Sequence, residues 1–126
     1  TPIDPEVVAP WAGDQMMNHG MFWAPVGATN RAESKLRYSE FQPLFHEFSP
    51  INHVSAGDPP VLLVYLPPTP LPSPDPGIAI HHAMLGQKLK EAADRAGLEW
   101  TLIYEDKYDE NSEVVHQFLL KHLLKP

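Results

Sequence analysis

The chain has 126 residues, 43% hydrophobic and 20% charged, so its length fits one domain and its composition is that of a folded rather than a disordered protein. Nine lysines and arginines against 16 aspartates and glutamates give a formal charge of −7, which disfavours nucleic-acid binding because such a surface repels phosphates. The absence of cysteine excludes disulfides, iron–sulfur clusters, cysteine-based zinc sites and a cysteine nucleophile.

Residues 1–50 predict an irregular, partly helical segment that resembles a cap. Proline and glycine interrupt residues 1–30, and a short helix is expected from Pro5, with Asp4 as its cap. This stretch is too apolar for a solvated tail, so it must pack on something. Residues 31–48 predict two short helices, the second of which carries an aromatic face.

Residues 51–126 predict a strand–helix–strand–helix unit in the same single domain, 1–126. Residues 61–66 form a continuous apolar run, typical of a strand covered on both faces in a parallel sheet. An amphipathic helix is expected over 80–96, followed by a second strand over 100–104 and a final helix. The sequence therefore predicts an α/β fold with a small parallel sheet and flanking helices.

Proline is the compositional outlier, with 15 residues. Its densest stretch is the connection 67–77, PPTPLPSPDPG, which follows the first strand and is expected to be stiff. Apolar runs of only a few residues predict no membrane-spanning helix.

The predicted sheet is incomplete, because a parallel sheet ordinarily has more than two strands and both faces covered. Two strands would leave edges and apolar faces open, which proteins rarely tolerate. We therefore expect a homo-oligomer, or a partner chain that completes the sheet.

Over about the last 80 residues, several short sequence stretches resemble the C-terminal part of α/β-hydrolase esterases and lipases in their order and spacing. The likeness is greatest to the acetyl-esterase and feruloyl-esterase-like branch, and it is carried by HEFSPINHVSAGDPPVLLVY, DPGIAIHHAMLGQKLKEAADRAGLEWTLIYEDKY and EVVHQFLLKHL. The resemblance implies a partial three-layer α/β-hydrolase arrangement that holds the last two strands of a larger sheet. The nucleophile half is missing, since no Gly-x-Ser-x-Gly motif occurs in the sequence.

The resemblance implies that Asp75 is the acid of a catalytic triad, which would orient and stabilise a histidine. The alternative is that Asp75 is a turn residue between two prolines. The triad histidine would follow the strand at 100–104, but residues 105–111 contain neither histidine nor glycine, and His116 on the last helix is poorly placed to replace it.

The resemblance also implies a pocket for a small ester. His82 matches part of a histidine pair that opens a helix in the family, although hydrogen bonding at the helix start is an alternative role for it. Met21, Phe22 and Trp23 resemble lid material that lines an acyl pocket, or instead form core or interface. No cofactor is expected, and the scattered histidines lack metal-binding spacing.

Two functional hypotheses follow. The chain is a carboxylesterase- or lipase-related protein that is catalytically incomplete alone, because another chain must supply the serine and the oxyanion hole. Alternatively, it is a non-catalytic binding or assembly module that self-associates through its sheet edge.

Overall fold

The computed structural model describes residues 3–106 and 112–124, and it has a mixed α/β fold. A two-stranded parallel sheet of β1 (Val61–Tyr65) and β2 (Trp100–Tyr104) packs against helices. In chain order the α-helices are α1 (Pro5–Ala12), α2 (Arg31–Leu36), α3 (Tyr38–Phe48), α4 (Pro76–Ala79), α5 (Ala83–Ala96) and α6 (Glu113–Leu123).

The register of the sheet decides which backbone groups point outward. The amide of Val61 donates to Glu99 O at 3.0 Å, and the amide of Glu105 donates to Tyr65 O at 2.9 Å. The backbone N–H and C=O groups of successive residues in a strand point in alternate directions. Those of Val61, Leu63 and Tyr65 therefore hydrogen-bond to β2, whereas those of Leu62 and Val64 point to the outer edge of β1. Within residues 3–106 and 112–124 the sheet has two strands, so β1 and β2 each present an outer edge.

Helix α5 packs against the sheet through its apolar face and ends at Gly97, which has the positive φ of 76° that favours glycine. Five of its apolar side chains are buried: Ala83, Leu85, Leu89, Ala92 and Ala93. The predicted start of this helix at Ile80 is wrong, because His82 adopts an extended backbone and a separate short helix, α4, precedes it.

Gly86 allows the close approach of α5 to β1. A Cβ atom at this position would lie 2.4 Å from Cε2 of Tyr65. We expect Gly86→Ala to lower the free energy of unfolding by about 1–2 kcal/mol, because displacement of the ring outweighs the better helix propensity of alanine. Urea denaturation checks this, and the substitution should be neutral or stabilising in a Tyr65→Ala background. Equal destabilisation in both backgrounds would contradict the close approach.

Residues 3–50, which we call the covering segment, are more regular than the sequence predicts. Helix α1 begins at Pro5 with Asp4 as its cap, as predicted, and α2 and α3 confirm the two helices expected over 31–48. Three short 3-10 helices lie between α1 and α2, at Met16–Asn18, Gly20–Phe22 and Ala24–Val26.

This segment supplies much of two apolar clusters. The first joins it to α4 and α5 and comprises Val8, Ala12, Met16, Met17, Phe22, Ala79 and Leu85. The second lies within the segment and comprises Ile3, Val26, Ala28, Phe41 and Phe45. The apolar residues of the first 50 positions therefore pack as a core, in keeping with the expectation that they cover other parts of the chain.

Tyr38 ties α3 to the cap of α1. Its hydroxyl lies 3.0 Å from Oδ1 and 2.9 Å from Oδ2 of Asp4, and partial burial together with this carboxylate raises the pKa of Tyr38 to about 12. The contact joins residues 34 positions apart, so it fixes the start of the segment against its last helix.

The strands are less buried than the continuous apolar run predicts, because all five residues of β1 are half-buried. Helix α6 leaves one sheet face only partly covered: Val115, Phe118 and His122 are half-buried, and Lys121 forms an ion pair with Glu99. On the other side of α6, Leu120 is 50% exposed and Leu123 is 73% exposed. The described part of the chain therefore has an unpartnered apolar helix face. Among the described residues, no helix is long and apolar enough to span a membrane.

Candidate functional site

A cleft of 480 Å³ lies beyond the carboxyl end of β1. Residues 66–69 form one wall, and Gly77, Ile78 and residues 81–83 form the other. We call residues 66–75 the proline strap. The carboxyl end of a parallel strand is where open α/β sheets ordinarily bind ligands, and the lining here is mainly apolar. The cleft is therefore the candidate functional site.

Two contacts involve the end of the strap next to α4, residues 72–75. Pro72 lies so close to Gly13 that a Cβ on this glycine would be 2.5 Å from Cβ of Pro72. The hydroxyl of Ser73, which is buried, donates to Asp75 O at 3.1 Å. These contacts hold the strap between the covering segment and the start of α4.

Asp75 caps α4. Its Oδ1 accepts hydrogen bonds from the amides of Gly77 at 2.7 Å and Ile78 at 3.2 Å, which are donors that the first turn of a helix otherwise leaves unsatisfied. In the described part of the chain, both hydrogen bonds of this carboxylate go to backbone amides. The turn-type role that the sequence left open for Asp75 is thus the one observed, and its role as a triad acid stays a prediction.

Substitutions at Asp75 separate the cap from the charge. Asparagine also caps helices well, so Asp75→Asn should unfold at nearly the same urea concentration as the wild type. Asp75→Ala should lower the free energy of unfolding by about 1 kcal/mol. Ester hydrolysis by the isolated chain should not change in Asp75→Asn. A large fall in its hydrolysis rate would mean that the carboxylate acts in catalysis without a second chain.

His82 is 6% exposed and caps α5. Its Nδ1 lies 3.0 Å from the Met84 amide, and its Nε2 lies 2.7 Å from the carbonyl oxygen of Thr69 in the strap. An amide can only donate and a carbonyl can only accept, so the ring is neutral with its proton on Nε2. Both ring nitrogens are therefore engaged, although the ring also borders the cleft.

Met21, Phe22 and Trp23, which the resemblance assigns to an acyl pocket, pack in the two apolar clusters. Phe22 is 1% exposed and packs in the first apolar cluster, while Met21 and Trp23 are half-buried and contact the second. None of the three lines the cleft among the residues described. Their assignment to an acyl pocket stays a prediction, and the observed packing is that of a core.

The remaining parts of a triad are not assembled within the described residues. Two of the buried serine hydroxyls there hydrogen-bond elsewhere: Ser49 accepts from the Ile3 amide, and Ser112 donates to Glu105. Of the loop in which the triad histidine would be expected, residues 107–111 lie outside the described residues. His116 lies exposed on α6. No cluster of side chains suited to a metal ion occurs in residues 3–106 and 112–124.

The bond from the Met84 amide is the role at the helix start that the sequence left open for His82, whereas its second bond, to Thr69, was not predicted. The contact with Thr69 spans 13 positions and depends on the path of the strap, which local patterns do not determine.

A scan against family models and searches of curated proteins and of solved structures found no significant match to the chain.

Proposed function

We propose that this chain is an α/β-hydrolase-like protein, related to carboxylesterases and lipases, that is catalytically incomplete alone. In this proposal it forms the last part of a three-layer fold, and a further segment or chain supplies the serine nucleophile and the oxyanion hole. A small ester is its proposed substrate.

The order and direction of the elements support this proposal most strongly. A parallel strand, a crossover helix, a second parallel strand and a final helix follow one another, as the resemblance implies. Asp75 follows β1 at the carboxyl end of the sheet, next to the cleft wall formed by Gly77 and Ile78. In the esterases and lipases that the sequence resembles, the triad acid follows the corresponding strand.

The incompleteness of the sheet supports the need for further strands. Parallel strands are ordinarily covered on both faces, yet every residue of β1 is half-buried. A parallel neighbour of β1 needs a crossover connection of a dozen or more residues. Residues 3–60 carry helices and no strand, so the neighbour has to come from outside the described residues.

Reconstitution with the missing half tests the proposal. The gene region around this chain should encode a Gly-x-Ser-x-Gly motif, upstream in the same reading frame or in an adjoining one. Co-production of the two parts should give hydrolysis of p-nitrophenyl acetate and butyrate, and replacement of the motif serine by alanine should abolish it. Absence of such a motif from the adjoining sequence would contradict the proposal.

A self-associating assembly module is the second candidate, and the exposed face of α6 favours it. Leu119, Leu120, Leu123 and Leu124 are 44%, 50%, 73% and 71% exposed, respectively. Contiguous apolar surface of this kind is common at protein–protein interfaces. The adjoining gene sequence distinguishes the two candidates, because the incomplete hydrolase requires a Gly-x-Ser-x-Gly motif encoded there and the assembly module does not.

A further inference from the structure

We propose that His82 is a pH-sensitive clasp, whose neutral ring holds the proline strap against the N-terminus of α5 and whose protonation releases the strap. The ring makes one bond to each side of the cleft entrance. Its Nδ1 accepts from the Met84 amide of α5, and its Nε2 donates to the Thr69 carbonyl of the strap. The inference concerns binding and access at the cleft, and it does not depend on the proposed catalysis.

Protonation breaks one of these two bonds directly. A proton on Nδ1 replaces the acceptor with a donor that faces the Met84 amide, also a donor, at a separation of 3.0 Å. The new positive charge also lies at the N-terminus of α5, where the helix dipole disfavours cations. Protonation leaves the Nε2–H donor in place, but we expect the ring to turn away from the Met84 amide, and because both nitrogens belong to one rigid ring, this rotation also breaks the bond to Thr69.

Only residues 66–69 of the strap are released by this change. All four are exposed and form one wall of the cleft, whereas the far end of the strap is fixed separately, by the contact of Pro72 with Gly13. Loss of the Thr69 contact therefore frees one wall, while in the other wall only the His82 ring changes position. Acidification should widen the cleft rather than unfold the domain.

Several titratable and charged groups lie on the described elements that pack near the ring. Asp75 is the one titratable side chain of the strap, and its carboxylate is held by the α4 amides. His81 is exposed beside the ring, and on α5 the Lys88 ammonium pairs with Glu91. Lys90, Asp94 and Arg95 lie further along α5, Tyr65 lies on β1, and His19 follows the 3-10 helix that contacts α4.

The tautomer gives the first test, on the unmodified chain. A long-range ¹H–¹⁵N spectrum of the histidine rings near pH 8 should show His82 neutral, with its proton on Nε2. A proton on Nδ1 under these conditions would overturn the proposal, because that ring could not accept from Met84.

Hydrogen exchange gives the second test. Between about pH 8 and about pH 5 the protection factor of the Met84 amide should fall about tenfold in the wild type, the size expected for loss of a cap. His82→Asn keeps a capping oxygen without a titratable ring, so its protection factor should stay constant. The matched control His81→Asn should follow the wild type. An equal fall in His82→Asn and wild type would overturn the proposal.

Discussion

Phe22→Ala is expected to lower the free energy of unfolding by about 3–5 kcal/mol, which is a large part of the stability of a domain of this size. Phe22 is 1% exposed and lies where the covering segment packs on α4 and α5. Truncation to alanine removes its contacts and leaves a cavity that the neighbouring helices fill only partly. Urea denaturation followed by circular dichroism measures the change.

Leu36→Ala is the control for this prediction. Leu36 is 86% exposed, so its truncation should change stability by no more than about 0.5 kcal/mol. If Phe22→Ala were as stable as Leu36→Ala but bound small esters more weakly, Phe22 would be a pocket residue, as the resemblance implies, and its core role would be contradicted.

Val64→Pro is expected to convert the proposed oligomer to monomer while the chain remains folded. The amide of Val64 points to the outer edge of β1, so proline there removes a donor that an added strand needs but that β2 does not use. Light scattering measures the mass, and circular dichroism reports the fold.

Leu63→Pro is the matched control, which places the same substitution one residue earlier in β1. The amide of Leu63 points to β2, so proline at this position removes a bond inside the existing sheet and should unfold the chain. An oligomer that persists in folded Val64→Pro would show that association does not use the edge of β1.

The elements with strong local signals could be predicted from the sequence. The pattern placed β2 over 100–104, and the first turn of α1 followed from Asp4 and Pro5. The end of α5 followed from Gly97. In each of these cases a residue's own backbone preference determines the boundary.

The break between α4 and α5 could not be predicted in the same way. Residues 80–96 fit one helical period, and the interruption at His82 depends on its hydrogen bond to Thr69 across the strap. The partial exposure of β1 could not be predicted either. A continuous apolar run indicates that both faces of a strand are buried, but it does not indicate whether this chain or another one buries them.

Of the candidate site, the sequence singled out Asp75 and His82 but not the contacts that they make. His82 lines the cleft, and Asp75 lies two residues before Gly77, which also lines it. Their hydrogen bonds to helix amides depend on where α4 and α5 begin, within one or two residues. Spacing in the sequence does not resolve boundaries that finely.

The most direct test of the central claim is a single sample of the purified chain on which mass and serine reactivity are measured together. Light scattering gives the mass, while hydrolysis of p-nitrophenyl acetate and butyrate is followed with and without a fluorophosphonate probe. A folded oligomer without turnover and without a labelled serine is the predicted result. Turnover that the probe blocks would contradict the account of an incomplete hydrolase-like chain, and a monodisperse monomer would contradict the expected self-association of the isolated chain.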